Sequence, residues 1–444
     1  MTEIKGIPYA QVKFDKDGKR QNTPDVPAGT TDLIVVSHGW NNTEAAAQEL
    51  YKKLFGNFSN QIKNDPAYKD RKVAIVGVIW PAKKFDDLMT QLSGSAGRDT
   101  GGAKSLGAAD PAAAEAAMHE AIDRAAPAFD DPGDDQRIAK LHSLVPTLEK
   151  SKADQAAFVE TLRELLDPNG QSAGQQHEED SSDVLFGGQP QLVFESATNP
   201  APASASSFAA PRQPVSASSG QALGFVGDFF SKAANAVINL LNLSTYFEMK
   251  QRAGTVGKNG VAPLIDELAA KVNRIHLVGH SFGGRAVTAA AANSTTTKLY
   301  SMALLQAAFS HNGFSEKRGG FFREVVTKKR VSGPILITHT KNDMAVGLAY
   351  PAASRLSGDA AKAFGGPDDK FGGIGSNGAQ QMTEGEIFTT TKKLLGVGGA
   401  YKWQAGKFHN LESSDFIVDP GGGDAHGWVF VPEVAWAISR AVIS

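Results

Sequence analysis

Gly279-His280-Ser281-Phe282-Gly283 sets a serine between two glycines, with the apolar run Ile275, Leu277 and Val278 before it and an Ala-rich, helix-compatible stretch, Arg285 to Ala292, after it. Strand, sharp turn and helix in that order put a side chain at the tip of a strained bend, where the residues two before and two after must lack bulk. Glycine fits both places. Such a turn exposes the Ser281 hydroxyl and aims the Phe282 N–H, with the positive end of the following helix, at any charge that develops beside it. The five-residue pattern alone is weak, since on the order of 0.3 chance copies are expected in a chain this rich in Gly and Ser. One decoy is present: Gly170-Gln171-Ser172-Ala173-Gly174 has the same pattern, but no apolar strand precedes it and polar, acidic low-complexity sequence follows.

A hydroxyl is a poor nucleophile near neutral pH until a base takes its proton, and the base needs a carboxylate to hold its tautomer and stabilise its cation. His426 is the favoured base, because it sits in the Gly-rich loop Asp419 to Gly427 between the last candidate strand and the closing helix. Its rivals have other places: His276 and His339 lie within or at the end of strands, His280 fills the variable position of the turn, His409 begins a strand, and His311 lies in the loop after the preceding one. Asp343 is the favoured acid. The strand Pro334 to Thr338 delivers it to the same sheet edge as Ser281, and catalytic groups gather at strand C-terminal ends in open α/β sheets. Asp415, Asp419 and Asp424 are the alternatives, Asp424 being equally suited to forming a turn.

These residues, with Asp32 to Ser37 running into His38-Gly39-Trp40, resemble the α/β-hydrolase superfamily, more narrowly its bacterial serine hydrolases with an HGW-type loop and a GHSFGG elbow. The likeness spans about 30–85 and 245–444. It implies an eight-stranded, mostly parallel sheet with helices on both faces, and nucleophile, acid and histidine in that chain order. By the same resemblance, to the HG-type loops of lipases and esterases, the Trp40 N–H joins the Phe282 N–H as oxyanion donor, while His38 braces the loop. The bland alternative is that Trp40 and Trp80 simply pack. The implied reaction is acyl transfer to water through an acyl-enzyme, with a carboxylic ester, acyl or lipid-like, as substrate. Thioesterases, peptidases and acyltransferases use the same constellation. Two readings from other classes stand beside it, a phospholipase-type toxin or effector and a non-catalytic binding protein on the same fold.

Composition bounds what must hold these residues. A chain of 444 residues, 41% hydrophobic and 21% charged, has material for a large core or two domains. With 45 basic against 47 acidic residues and net charge −2, no global field recruits nucleic acid. The absence of cysteine removes disulfides, thiolate chemistry and Cys-based zinc sites, which fits a reducing compartment. No basic-then-apolar leader opens the chain, so a soluble cytoplasmic protein is expected, with signal-independent export left open. No cofactor or metal is expected, for want of H-E-x-x-H and of a phosphate loop; Gly421 to Gly423 does not join a strand to a helix.

The α/β-hydrolase core is expected over 1–82 and 245–444, with a helical insertion over 83–244 that is disordered at about 171–220. Tyr9 to Phe14 and the turn Asp15 to Gly18 are read as the sheet's antiparallel edge; Asp32 to Ser37 and Val73 to Ile79 are buried-type strands around a helix capped by Thr43. In the insertion, Pro111 to Arg124, Asp134 to Val145 and Ala153 to Leu166 are amphipathic helices, whereas Gln171 to Gly220 is too polar to order itself. Ala222 to Phe247 is strongly apolar and needs a partner: the core as a packed cap, an acyl substrate as a lid, or transiently a membrane or lipid surface. Tyr246 to Ala270 is expected to be helical with an interruption near Gly254 to Gly260. Leu299 to Phe309, Pro334 to Thr338 and Phe408 to Val418 are the remaining strands, with helices near Gly385 to Leu395 and over Val431 to Ile443.

Overall fold

A computed structural model describes residues 2–40, 42–82, 111–167, 188–198, 231–343, 345–346 and 372–444. Its centre is one eight-stranded sheet: β1 (Thr2–Ile4), β2 (Ile7–Lys13), β3 (Asp32–Ser37), β4 (Val73–Ile79), β5 (Arg274–His280), β6 (Leu299–Leu305), β7 (Ile335–His339) and β8 (Phe408–Glu412), in spatial order β1-β2-β4-β3-β5-β6-β7-β8. Every pairing is parallel except β1 with β2. The expected antiparallel edge is therefore β1 alone. The stretch read as that edge, Tyr9 to Phe14, belongs to β2, which returns through the Lys5-Gly6 turn and runs parallel to β4.

The inner strands read as continuous apolar runs because both faces are covered, and alternate residues feed opposite layers. In β3, Leu33 and Val35 join one core while Ile34 and Val36 join the other. The second core holds α1 (Glu44–Ile62), capped by the Thr43 side chain accepting from the Ala46 N–H, and the C-terminal α9 (Pro432–Val442). On the first face lie α6 (Lys232–Thr255), α7 (Ala262–Ala269) and α8 (Phe282–Asn293), and over them α2 (Pro111–Ala125), α3 (Asp134–Leu144), α4 (Lys152–Leu166) and α5 (Pro190–Ala197).

Three expectations need correction. The glycines at 254–260 do not break the helix; Val256–Val261 forms a π-helical turn continuous with α6 and α7. A Cβ on Gly257 would lie 2.2 Å from the Ala286 carbonyl oxygen, so glycine is there for close approach to α8. The helix expected at Gly385 to Leu395 is absent. That stretch instead pairs with the outer edge of β8, the Phe388 and Leu394 N–H groups donating to the Phe408 and Glu412 carbonyls, because an edge strand's open hydrogen bonds need partners. Third, α5 lies inside the segment read as disordered; Val193, Phe194 and Ala197 are buried against α4 and α6, which offsets the ordering entropy that composition alone said could not be met. Residues 171–187, with the decoy Ser172, and 199–230 fall outside the described residues.

The described part of the apolar stretch, from Ser231, is covered by protein: Ala234, Val237, Leu240 and Leu241 of α6 are buried among α2, α4, α5 and α8. Arg252 of the same helix reaches the Ala128 carbonyl at 2.9 Å, Asp130 at 3.1 Å and Glu248 at 3.0 Å, and Lys16 in the turn after β2 pairs with Asp130 and Asp131. The insertion helices are thus pinned to the sheet by packing and charge. No helix among the described residues is long and apolar enough to cross a membrane.

Candidate active site

Ser281 stands between β5 and α8 with φ 57° and ψ −127°, a backbone conformation costly to a residue with a side chain. Such strain costs on the order of 1–3 kcal/mol and persists only where surroundings enforce it. They do so here. The Ser281 N–H donates to Leu305, and its carbonyl accepts from Gly284 and Ala308. A Cβ on Gly283 would lie 2.2 Å from the Ser37 carbonyl oxygen, and one on Gly279 2.4 Å from the Gly283 carbonyl oxygen. Both flanking glycines are thus required by the tight passage between β3, β5 and α8. Phe282, as the first residue of α8, has no acceptor within the helix for its N–H.

The loop after β3 closes over the serine. A Cβ on Gly39 would lie 2.3 Å from Ser281 Cβ and 2.9 Å from Oγ, so only glycine lets this loop approach so near. His38 is fully buried and stacks on Trp80 at 5.4 Å between ring centroids. Its Nε2 accepts from the Trp80 N–H at 3.3 Å, which leaves Nδ1 to donate to the Gly39 carbonyl at 2.8 Å. Burial pushes its pKa down to about 4, keeping it neutral, and its role is to brace the loop. Trp40 packs edge-on to Tyr246 of α6 and against Phe282, at 6.1 and 6.0 Å.

The residues expected as acid and base, Asp343 and His426, meet on the same sheet edge. Asp343 follows β7 and is buried, one carboxylate oxygen accepting from the Val346 N–H at 2.9 Å and the other lying 2.8 Å from His426 Nδ1. A carboxylate only accepts, so Nδ1 carries the proton and His426 Nε2 presents a lone pair. The loop carrying His426 is tied to the one carrying Asp343, the Ala425 N–H donating to the Asn342 carbonyl at 3.1 Å. Burial works to lower the His426 pKa, but the Asp343 carboxylate outweighs it through charge and hydrogen bond, with Asp424 adding, and holds it above the ordinary 6.5. Asp343 lies above its ordinary carboxylate value because burial prevails over the pull of His426.

Among the described residues no hydrogen bond joins the Ser281 hydroxyl to His426. The two segments are linked instead through His280, whose Nε2 lies 2.9 Å from the His426 carbonyl oxygen. Sequence pattern gave His280 no role, because only the fold brings residues 146 apart into contact. The other candidates lie elsewhere: His276 is bonded to Asp32 and Ser301, His311 to Asn377, and His409 packs against Trp403. Asp415 pairs with Lys393, Asp419 accepts from the Gly421 and Gly423 N–H groups, and Asp424 accepts from the His426 N–H. Among the described residues no group of three or more His, Asp or Glu side chains converges as a metal set would. No protein-family model, curated protein or solved structure matches the chain, so the functional reading rests on the geometry just given.

Proposed function

We propose that this chain is a serine hydrolase of the α/β-hydrolase kind, cleaving carboxylic esters of acyl or lipid-like character through Ser281, His426 and Asp343. One observation carries the proposal: a buried Asp343 paired at 2.8 Å with the half-buried His426, on the sheet edge where a serine is held in a strained turn under a glycine. In this account Ser281 Oγ attacks the ester carbonyl carbon while His426 Nε2 takes its proton. Asp343 stabilises the resulting imidazolium. On this reading the oxyanion is received by the Phe282 N–H and, by the resemblance to HG-type loops, by the Trp40 N–H, donors that act on the charge that develops in the transition state. His426 then returns the proton to the departing alkoxide, and water hydrolyses the acyl-enzyme by the same steps. In this account the Ser281–His426 hydrogen bond forms once substrate is bound, as catalytic hydrogen bonds often tighten only in the substrate complex. An apolar acyl group is favoured by the aromatic cluster of Trp40, Tyr246 and Phe282 that packs beside the serine turn.

The test is hydrolysis of p-nitrophenyl esters from acetate to palmitate by the native chain and by Ser281→Ala. Turnover that falls by about 10⁴-fold or more in the variant, with unchanged melting temperature, supports the proposal. A second reading, a binding protein on this fold, is favoured by the open Ser281–His426 contact; folded native protein without turnover, also with detergent micelles present, would turn the assignment to it.

A further inference from the structure

His280 is buried, and each of its ring nitrogens has a definite environment. Nε2 faces the His426 carbonyl, which only accepts, so Nε2 must carry the proton. Nδ1 is then the unprotonated nitrogen; it too is buried and has no hydrogen-bond partner among the described residues. Burial first, then the neighbouring His426, pushes the His280 pKa down to about 3, so the ring stays neutral. The two imidazoles pack with centroids 4.8 Å apart.

What this bond connects matters. The base loop is held from one side by the end of β7, through the bonds of Asp343 to the His426 ring and of Asn342 to the Ala425 N–H. β7 is separated from the nucleophile's strand β5 by β6, so those bonds fix the base relative to the acid and leave its distance from Ser281 open. The loop is folded on itself, Asp419 accepting from the N–H groups of Gly421, Gly422 and Gly423 and Asp424 from that of His426, but none of these bonds reaches β5. Ala425 and Val429 pack in the same core as Val278 of β5, and the hydrogen bond from His280, the residue next to the nucleophile, adds to that packing a directed tie between β5 and the backbone of His426 itself.

We infer that His280 is a positioning residue: its Nε2–H, by holding the His426 backbone carbonyl, sets the reach of the base to Ser281. The inference rests on the hydrolase assignment above and deepens it. His280 neither touches substrate nor moves a proton. Its loss lets the base drift across a gap where about 1 Å of misplacement costs on the order of 10²-fold in rate.

The test compares native chain, His280→Gln, whose amide N–H can replace the Nε2 donor, and His280→Leu, which fills space but donates nothing. Rates of ester turnover and of fluorophosphonate labelling at Ser281 are read beside melting temperature. His280→Leu is expected to lose about 10- to 100-fold in kcat and labelling rate with KM nearly unchanged, and His280→Gln to recover most of it. A folded His280→Leu that reacts at the native rate overturns the inference, as does an equal loss in both variants, which would mark mere packing. Should His280→Leu not fold, ¹⁵N imidazole spectra of the native chain decide: Nε2–H on His280 supports it and Nδ1–H overturns it. A native chain that neither labels nor turns over ester fails the hydrolase assignment and this inference together, whereas native labelling with an indifferent His280→Leu fails the inference alone.

Discussion

Among the described residues the two ends of the sheet each hold a hydrogen-bonded Asp–His pair with a serine close by, and the pairs differ in everything but composition. At the C-terminal ends of the strands, Asp343, His426 and Ser281 sit on loops and a strained turn. Toward the N-terminal ends, Asp32 of β3, His276 of β5 and Ser301 of β6 lie on the strands themselves, His276 Nε2 3.2 Å from Asp32 and Nδ1 2.8 Å from the Ser301 hydroxyl. Asp32 also receives Arg71 at 2.8 Å and Thr31 at 2.7 Å. The second set is the better hydrogen-bonded and is sealed, Asp32 and His276 each 1% exposed and Ser301 5%. Ser301 lies in a strand whose N–H groups belong to the sheet, without the strained turn and overlying glycine of Ser281. Under the proposed function, what sets Ser281 apart from a serine that satisfies a buried pair is a turn that presents its hydroxyl beside the Phe282 N–H, which has no acceptor within its helix.

Exchanging carboxylate for amide in each set should separate them. Asp343→Asn is expected to lower ester kcat by about 10⁴-fold at near-native melting temperature, since the histidine loses its enforced tautomer. Asp32→Asn should do the reverse, costing about 3–5 kcal/mol in denaturant unfolding while the remaining folded protein turns over ester normally, because breaking a buried pair strands its partner. Loss of activity per folded molecule in Asp32→Asn would erase the contrast. Gly39→Ala forces the loop off Ser281, the added carbon lying 2.3 Å from Ser281 Cβ, and should reduce kcat by about 10²-fold with little loss of stability. Ser301→Ala, by leaving the His276 Nδ1 acceptor empty, should cost about 1 kcal/mol and no activity.

The smallest effect is in pH. Activity needs neutral His426, whose pKa is raised, so kcat/KM should climb with pH through a midpoint above 6.5. His276 has a folded-state pKa lowered chiefly by burial, so the unfolded chain binds more protons below about 6.5 and stability should fall as pH drops from there. His38 and His280 push the same way. Asp32, lowered against burial by His276, Thr31 and Arg71, adds stability that is present above its ordinary 3.8 and lost as pH falls through its lower folded value. An activity midpoint below 6.5 would contradict the proposed electrostatics of the Asp343–His426 pair.

How much of this was legible in sequence follows from how local each cause is. The serine turn and its glycines lie within five residues, and the strand carrying Asp343 announces itself by its apolar run, so both could be read. The π-turn could not, because Gly257 answers to Ala286 in another helix. Nor could the Asp32–His276 pair, 244 residues apart, or the contact of His280 with the base loop. Composition misjudged α5, since its three buried side chains are few within a polar stretch and count only once α4 and α6 cover them. The run at Gly385 to Leu395 was misread because β8's open edge, not local propensity, sets its course.

The central claim is that the chain activates one serine, and intact mass after fluorophosphonate treatment addresses it most directly. Native chain, Ser281→Ala, Ser301→Ala and Ser172→Ala should be compared at equal folded fraction. A single adduct, lost in Ser281→Ala and kept in the other two, is the predicted result. An adduct that survives Ser281→Ala, or its disappearance in folded Ser301→Ala, would contradict the account.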